Sequence, residues 1–209
     1  NIVFAIFFCT VFILMFSSCK ELYPITKTAE GYTFEIDENQ NATLIKTDIL
    51  AETIEIPSEI SSYKVKKLSC VEEAALVGVS LTGVFEGNNV VKEIIIPEGV
   101  VETYGPAIAN CYNLEKITIP GTMTTFDVVR CDNLKEVNIV DGDTITESFS
   151  FSDCSGLEEI YLPKQINKIS TNAFARCYSL KNVKFSKNVY CIELSLIHIS
   201  EPTRLLSIS

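Results

Sequence analysis

Histidine is nearly missing from this chain: one residue, His198, occurs in 209. It lies in a C-terminal stretch that does not follow the pattern of the rest. Setting it aside leaves no imidazole base, no Ser–His or Cys–His pair and no imidazole metal ligand. Catalysis, a cofactor and a bound metal are therefore not expected. Basic residues are also few. Lys and Arg number 17 against 27 Asp and Glu, for a net charge of -10. They are mostly scattered, with no long basic run or basic helix, which argues against nucleic acid as a partner. An acidic surface repels anionic headgroups too, so membrane contact must come from an apolar segment or an acyl chain. A membrane-spanning run is absent as well. The apolar stretch Ile2–Phe16 covers about fifteen residues, short of the roughly 20 that a spanning helix needs.

That stretch ends in Ser17-Ser18-Cys19. An apolar core followed by small residues is the pattern of an export signal with its cleavage site. No Met or basic segment precedes it, so the chain is expected to begin inside its signal peptide. Phe16-Ser17-Ser18-Cys19 resembles a bacterial lipobox, with Phe where Leu is usual. The resemblance implies cleavage before Cys19, lipid attachment at Cys19 and membrane contact through the acyl anchor only. Lys20-Glu21 resembles part of the surface-export signal of some Gram-negative anaerobes, which implies an outer-membrane or cell-surface location.

Most of the remaining chain is a repeat. Cys111, Cys131, Cys154 and Cys177 each open a Cys-x-x-Leu motif, at spacings of 20, 23 and 23. An alternating strand follows each one, as in Leu114-x-x-Ile117-x-Ile119-Pro120 and Leu157-x-x-Ile160-x-Leu162-Pro163. One period earlier Asn88 takes the cysteine place, before Val91-x-x-Ile94-x-Ile96-Pro97. Three residues before each of these positions stands an apolar residue: Phe85, Ile108, Val128, Phe151 and Phe174. A unit of one strand, a turn and a return cannot bury its apolar side alone, so the units must stack, with their strands in a parallel sheet. Proline after the strand removes a donor and ends it.

The pattern resembles the BspA-like leucine-rich repeat family, most closely over Ile166–Leu180. The fold this implies is a β-rich solenoid of short parallel strands in a right-handed superhelix, with loop-rich returns and little helix. Tyr32–Asp37 and Ala42–Lys46 alternate around Glu-Asn-Gln-Asn, a hairpin signature that matches the family's N-terminal cap. The expected layout is a signal peptide over 1–18, a linker over 19–30, the hairpin cap over 31–51 and repeats over 52–193. Extra sequence around Val71–Val84 and the short Cys111–Cys131 unit should distort the stack locally. Leu194–Arg204 resembles a transposase adapter from sequencing libraries, translated in frame. Residues 194–209 are therefore expected to be artefact, and the native protein is expected to continue with more repeats or another domain.

Stacking also sorts the candidate site residues into columns. The four cysteines should form a buried ladder of free thiols, because parallel Cβ vectors disfavour disulfides and ligands in a line do not make a tetrahedron for zinc. The first outward column, Lys92, Glu115, Lys135, Glu158 and Lys181, alternates in sign. The second reads Glu93, Lys116, Glu136, Glu159 and Asn182. Lateral neighbours of opposite charge hold register, because a slipped repeat would juxtapose like charges. The third column, Ile95, Thr118, Asn138, Tyr161 and Lys184, varies in chemistry and carries an exposed aromatic, so it is the expected ligand-binding face. Surface display and adhesion follow from the family resemblance, with an extracellular protein or glycan as partner. The alternative is a structural spacer presenting a missing C-terminal domain.

Overall fold

The computed structural model describes residues 24–75, 78–193 and 206–208. Cys19 and the export segment lie outside these residues, as does His198. The chain is an all-β solenoid of short parallel strands wound into a right-handed superhelix.

The face that follows each Cys-x-x-Leu turn is a parallel ladder. Thr53–Glu55, Glu93–Ile95, Lys116–Ile119 and Glu136–Ile139 pair in that order, and Glu159–Leu162 pairs with Asn182–Phe185. Side chains alternate along each strand, so Ile94, Ile117, Ile160 and Val183 enter the core in register. Leu206–Ile208 extends the ladder from Asn182–Phe185. An open parallel edge pairs with any extended segment that reaches it.

The return segments are more regular than the sequence predicts. Tyr63–Ser69, Glu102–Tyr104, Thr125–Val129 and Ser148–Ser150 form a second parallel sheet on the opposite side. Their apolar residues occur singly or at irregular spacing, which hides the strand pattern in any one repeat. Pairing with the neighbouring repeats supplies the hydrogen bonds that make the strands. Between the two sheets lies one continuous core, in which Phe126, Phe149, Phe151 and Phe174 pack ring to ring with centroids 5.7–6.1 Å apart.

The corner before each cysteine has a repeated backbone device. Asn110, Arg130, Asp153 and Arg176 all have positive φ, between 55° and 60°, and Gly87 has 75° at the same place before Asn88. A left-handed residue there reverses the chain so that the cysteine can point inward. The Leu114, Leu134, Leu157 and Leu180 amides then close the Cys-x-x-Leu turn on the cysteine carbonyls at 3.0–3.2 Å. Where Asn88 replaces cysteine, its side chain does this work instead. Its Oδ1 accepts from the Val90 and Val91 amides at 3.1 and 3.0 Å, and its Nδ2 donates to the Ile49 carbonyl at 2.8 Å.

At the N-terminal end Tyr32–Ile36 pairs antiparallel with Asn41–Thr47. Asp37 closes its turn by accepting from the Asn39 and Asn41 amides. This antiparallel segment is longer than the sequence suggests. Ile25–Ala29, within the segment assigned to a linker, is a third antiparallel strand, turned into the hairpin by Glu30-Gly31, both at positive φ. The extra sequence near Val71 is also structured: Val71–Ala75 and Gly78–Thr82 pair as an antiparallel hairpin outside the stack.

Two substitutions separate core from corner. Truncating Phe151, which is fully buried, to alanine is expected to cost about 3–5 kcal/mol in urea unfolding. Arg130→Gly should hold or raise stability, whereas Arg130→Val should lower it by about 1–2 kcal/mol, because the left-handed corner tolerates glycine but not a branched Cβ.

Candidate functional site

The outward positions of the first sheet form columns. In the first, every member from Lys92 to Lys181 is exposed. The column starts one repeat earlier than the sequence analysis places it, at Glu52, which pairs with Lys92 at 2.8 Å. The signal for it is Ile54-x-Ile56-Pro57, the same strand-and-proline phrase as Ile94-x-Ile96-Pro97. Lys181 pairs with Glu158 at 2.8 Å. In the second column Lys116 bridges Glu93 at 3.4 Å and Glu136 at 3.1 Å. These bonds hold the Lys116 ammonium above its ordinary range, Glu136 contributing most, and Lys181 holds the Glu158 carboxyl below its own. A shallow groove runs along the two columns between Glu52 and Glu136.

The third column is less uniform than its register suggests. Asn138 and Tyr161 are exposed, while Ile95 and Thr118 are half-buried. Lys184 is not free. It reaches across to the second column and pairs with Glu159 at 2.8 Å.

The ladder breaks once. Glu136–Ile139 and Glu159–Leu162 belong to different sheets, so Asn138 and Tyr161 stand on either side of a discontinuity. Its cause is local. Four of the other strands pass through Pro57, Pro97, Pro120 or Pro163 into a short turn, but Ile139 runs into the longer turn Val140–Thr146. Gln165 holds that turn, donating to the Val140 carbonyl at 2.6 Å and accepting from the Gly142 amide at 3.3 Å. A Cβ on Gly121 or Gly142 would run into the other's backbone, so two repeats touch there through glycine alone.

Cys111, Cys131, Cys154 and Cys177 are all buried free thiols. Cys177 donates to the Phe151 carbonyl at 2.9 Å and Cys111 to the Ala109 carbonyl at 3.4 Å. Contact with Cys131 and burial push the Cys154 thiol far up, and burial pushes Cys177 to about 12. These sulfurs pack as small hydrophobes with weak hydrogen bonds. Among the described residues no group of three or more His, Cys, Asp or Glu could hold a metal.

Comparison with known proteins places this geometry. The model of the BspA-type leucine-rich repeat region matches residues 14–128 and 129–201, in six copies. The chain belongs to this family. The BspA-type match begins within the apolar N-terminal run and ends within the C-terminal segment. Among solved structures, a T. pallidum leucine-rich repeat protein is 14% identical, with a TM-score of 0.57, over 87% of this chain and 86% of its own. A leucine-rich cell-surface protein of Faecalibacterium prausnitzii is 17% identical, with a TM-score of 0.38, over 87% and 78%. The pneumococcal vaccine antigen PcpA is 15% identical, with a TM-score of 0.49, over 79% and 51%. At these identities the likeness is one of fold, and the T. pallidum protein carries it. No curated protein sequence matches.

The BspA-type stack is a non-catalytic scaffold. Carboxylates such as Glu158 are held ionised by lateral lysines, the opposite of a carboxyl poised to give up a proton near neutrality.

Two measurements check this account. Lys116→Glu, which places like charge beside Glu93 and Glu136, should lower Tm at low ionic strength, and the deficit should shrink as salt rises. In the native protein at pH 8, iodoacetamide should modify the half-buried Cys191 well before the four ladder cysteines, as read by peptide mass spectrometry.

Proposed function

We propose that this chain is an exported binding module. It recognises an extracellular protein or glycan through the outward strand face, with contact centred on Asn138 and Tyr161. The observation that supports this reading is the contrast between the lysines of the face and its exposed aromatic. Lys92, Lys116, Lys181 and Lys184 are all committed to partners within the stack. Tyr161 is 45% exposed and stands beside the ladder break. An exposed aromatic next to a discontinuity offers apolar area and a polar tip, the chemistry enriched at interface anchors. Family membership supports a repeat scaffold that presents such a face, although fold alone does not assign a ligand.

Export and anchoring belong to the same reading and rest on the sequence around Cys19. Cys19→Ala should release the protein from the membrane fraction and abolish incorporation of radiolabelled palmitate. Unchanged membrane association would refute the anchor.

For ligand binding, the repeat region is screened against immobilised extracellular-matrix proteins and a glycan array, and hits are compared between the wild type and Tyr161→Ala. The variant is expected to bind about tenfold more weakly, the loss typical of an interface anchor. Equal affinity would move the site off this face. Absence of any hit would favour the spacer alternative.

A further inference from the structure

The returns differ in length. In two repeats four residues link the second-sheet strand to the next corner: Tyr104–Ala107 between Thr103 and Ile108, and 170–173 between Ile169 and Phe174. In the two repeats between them a single residue does the same job. Asp127 links Phe126 to Val128, and Ser150 links Phe149 to Phe151. The corners themselves stay in register, with Ile108 paired to Val128 and the Phe151 amide donating to the Ala173 carbonyl at 2.7 Å. Four-residue turns must therefore project beyond their one-residue neighbours. The result is a notch two repeats wide, floored by Asp127 and Ser150, which are paired neighbours.

Asp127 is the odd residue on this floor. Its amide donates to Thr103 Oγ1 at 3.0 Å, which anchors the backbone and leaves the carboxylate facing outward, half-buried. Cations near the walls are already taken, Lys67 by Glu102 and Lys168 by Glu193. Desolvation alone raises the Asp127 pKa above the ordinary 3.8. Exposed carboxylates elsewhere are either paired with lysine, as Glu52, Asp143 and Glu158 are, or open to solvent, as Glu55 and Glu98 are, whereas Asp127 is half-buried. On the near wall Tyr104 is 69% exposed.

We propose that this notch receives a basic side chain, arginine or lysine, from an extended segment of a protein ligand. Charge complementarity selects the occupant. A half-buried carboxylate without a cation lowers stability, and a guanidinium or ammonium placed there recovers that cost through a charge-assisted hydrogen bond. The Tyr104 ring adds a cation–π surface, and the net charge of -10 favours a basic partner. This inference rests on the binding-module reading but uses the opposite sheet from Tyr161.

The test is an NMR titration of the full chain with N-acetyl-arginine-N-methylamide and with its neutral citrulline analogue. Saturable shifts at the Asp127 and Ser150 amides are expected with the arginine probe. Asp127→Asn, or the citrulline probe, should weaken binding by about tenfold, as for loss of one charged hydrogen bond. Tyr104→Leu should weaken it severalfold. A control on stability separates a binding role from a structural one. A raised carboxyl pKa destabilises the fold once pH exceeds the unfolded value. Asp127→Asn should therefore raise Tm at pH 7, and the gain should vanish below about 3.8. A lowered Tm at pH 7, or equal shifts with citrulline, would overturn the proposal. If arginine fails here while a ligand still binds through Tyr161, this inference alone fails. Arginine binding at Asp127 with no effect of Tyr161→Ala would remove the strand-face site and leave this one.

Discussion

Lateral stacking is the constraint on which everything else depends. One repeat has a short strand on each side and an apolar interior with no lid. Its backbone groups and its leucines are satisfied only when a neighbour arrives on each side. The residues that matter most are therefore those that keep every repeat at the same height and rotation. The left-handed corner residue, the inward cysteine and the leucine three places on form that unit. Asn88 shows that its logic is geometric rather than chemical, since an amide completes the turn from the same place.

Once register is set, side chains of equal position become lateral neighbours, and the surface chemistry follows from the column sequence. Alternating charge along the first column, and over the first three members of the second, yields ion pairs between repeats. Surface pairs contribute little to stability one at a time, so their physical role is discrimination between registers. Repulsion in a slipped stack is what the pattern prevents. The same logic accounts for the buried sulfurs. Identical small residues at one height pack without competing for space, and the low-dielectric interior keeps them as thiols.

Departures from the repeat length shape the surface. A longer turn at Val140–Thr146 separates two blocks of the strand ladder, and alternation of four-residue and one-residue links indents the opposite side. Val71–Ala75 and Gly78–Thr82 form a two-stranded sheet of their own without interrupting the stack, because the flanking strands Tyr63–Ser69 and Glu102–Tyr104 still pair. Indels at corners change the surface while leaving the core in register, which is how one scaffold can present different faces.

By itself the sequence determined the repeat, its strands after each Cys-x-x-Leu motif, the recurrence of four cysteines at one repeat position, an antiparallel hairpin near the N-terminus and the sign alternation of the first outward column. All of these recur at fixed spacing, and periodicity survives without coordinates. Tertiary structure decided what depends on neighbours. Second-sheet strands such as Glu102–Tyr104 exist because adjacent repeats hydrogen-bond them. Ile25–Ala29 is a strand because the hairpin edge beside it was open. Lys184 lies in the third column by register but belongs to Glu159 by contact, since a long side chain reaches across columns. Asp127 carries no motif in the sequence. Its half-buried, cation-free setting arises only where two short links lie side by side between two longer ones.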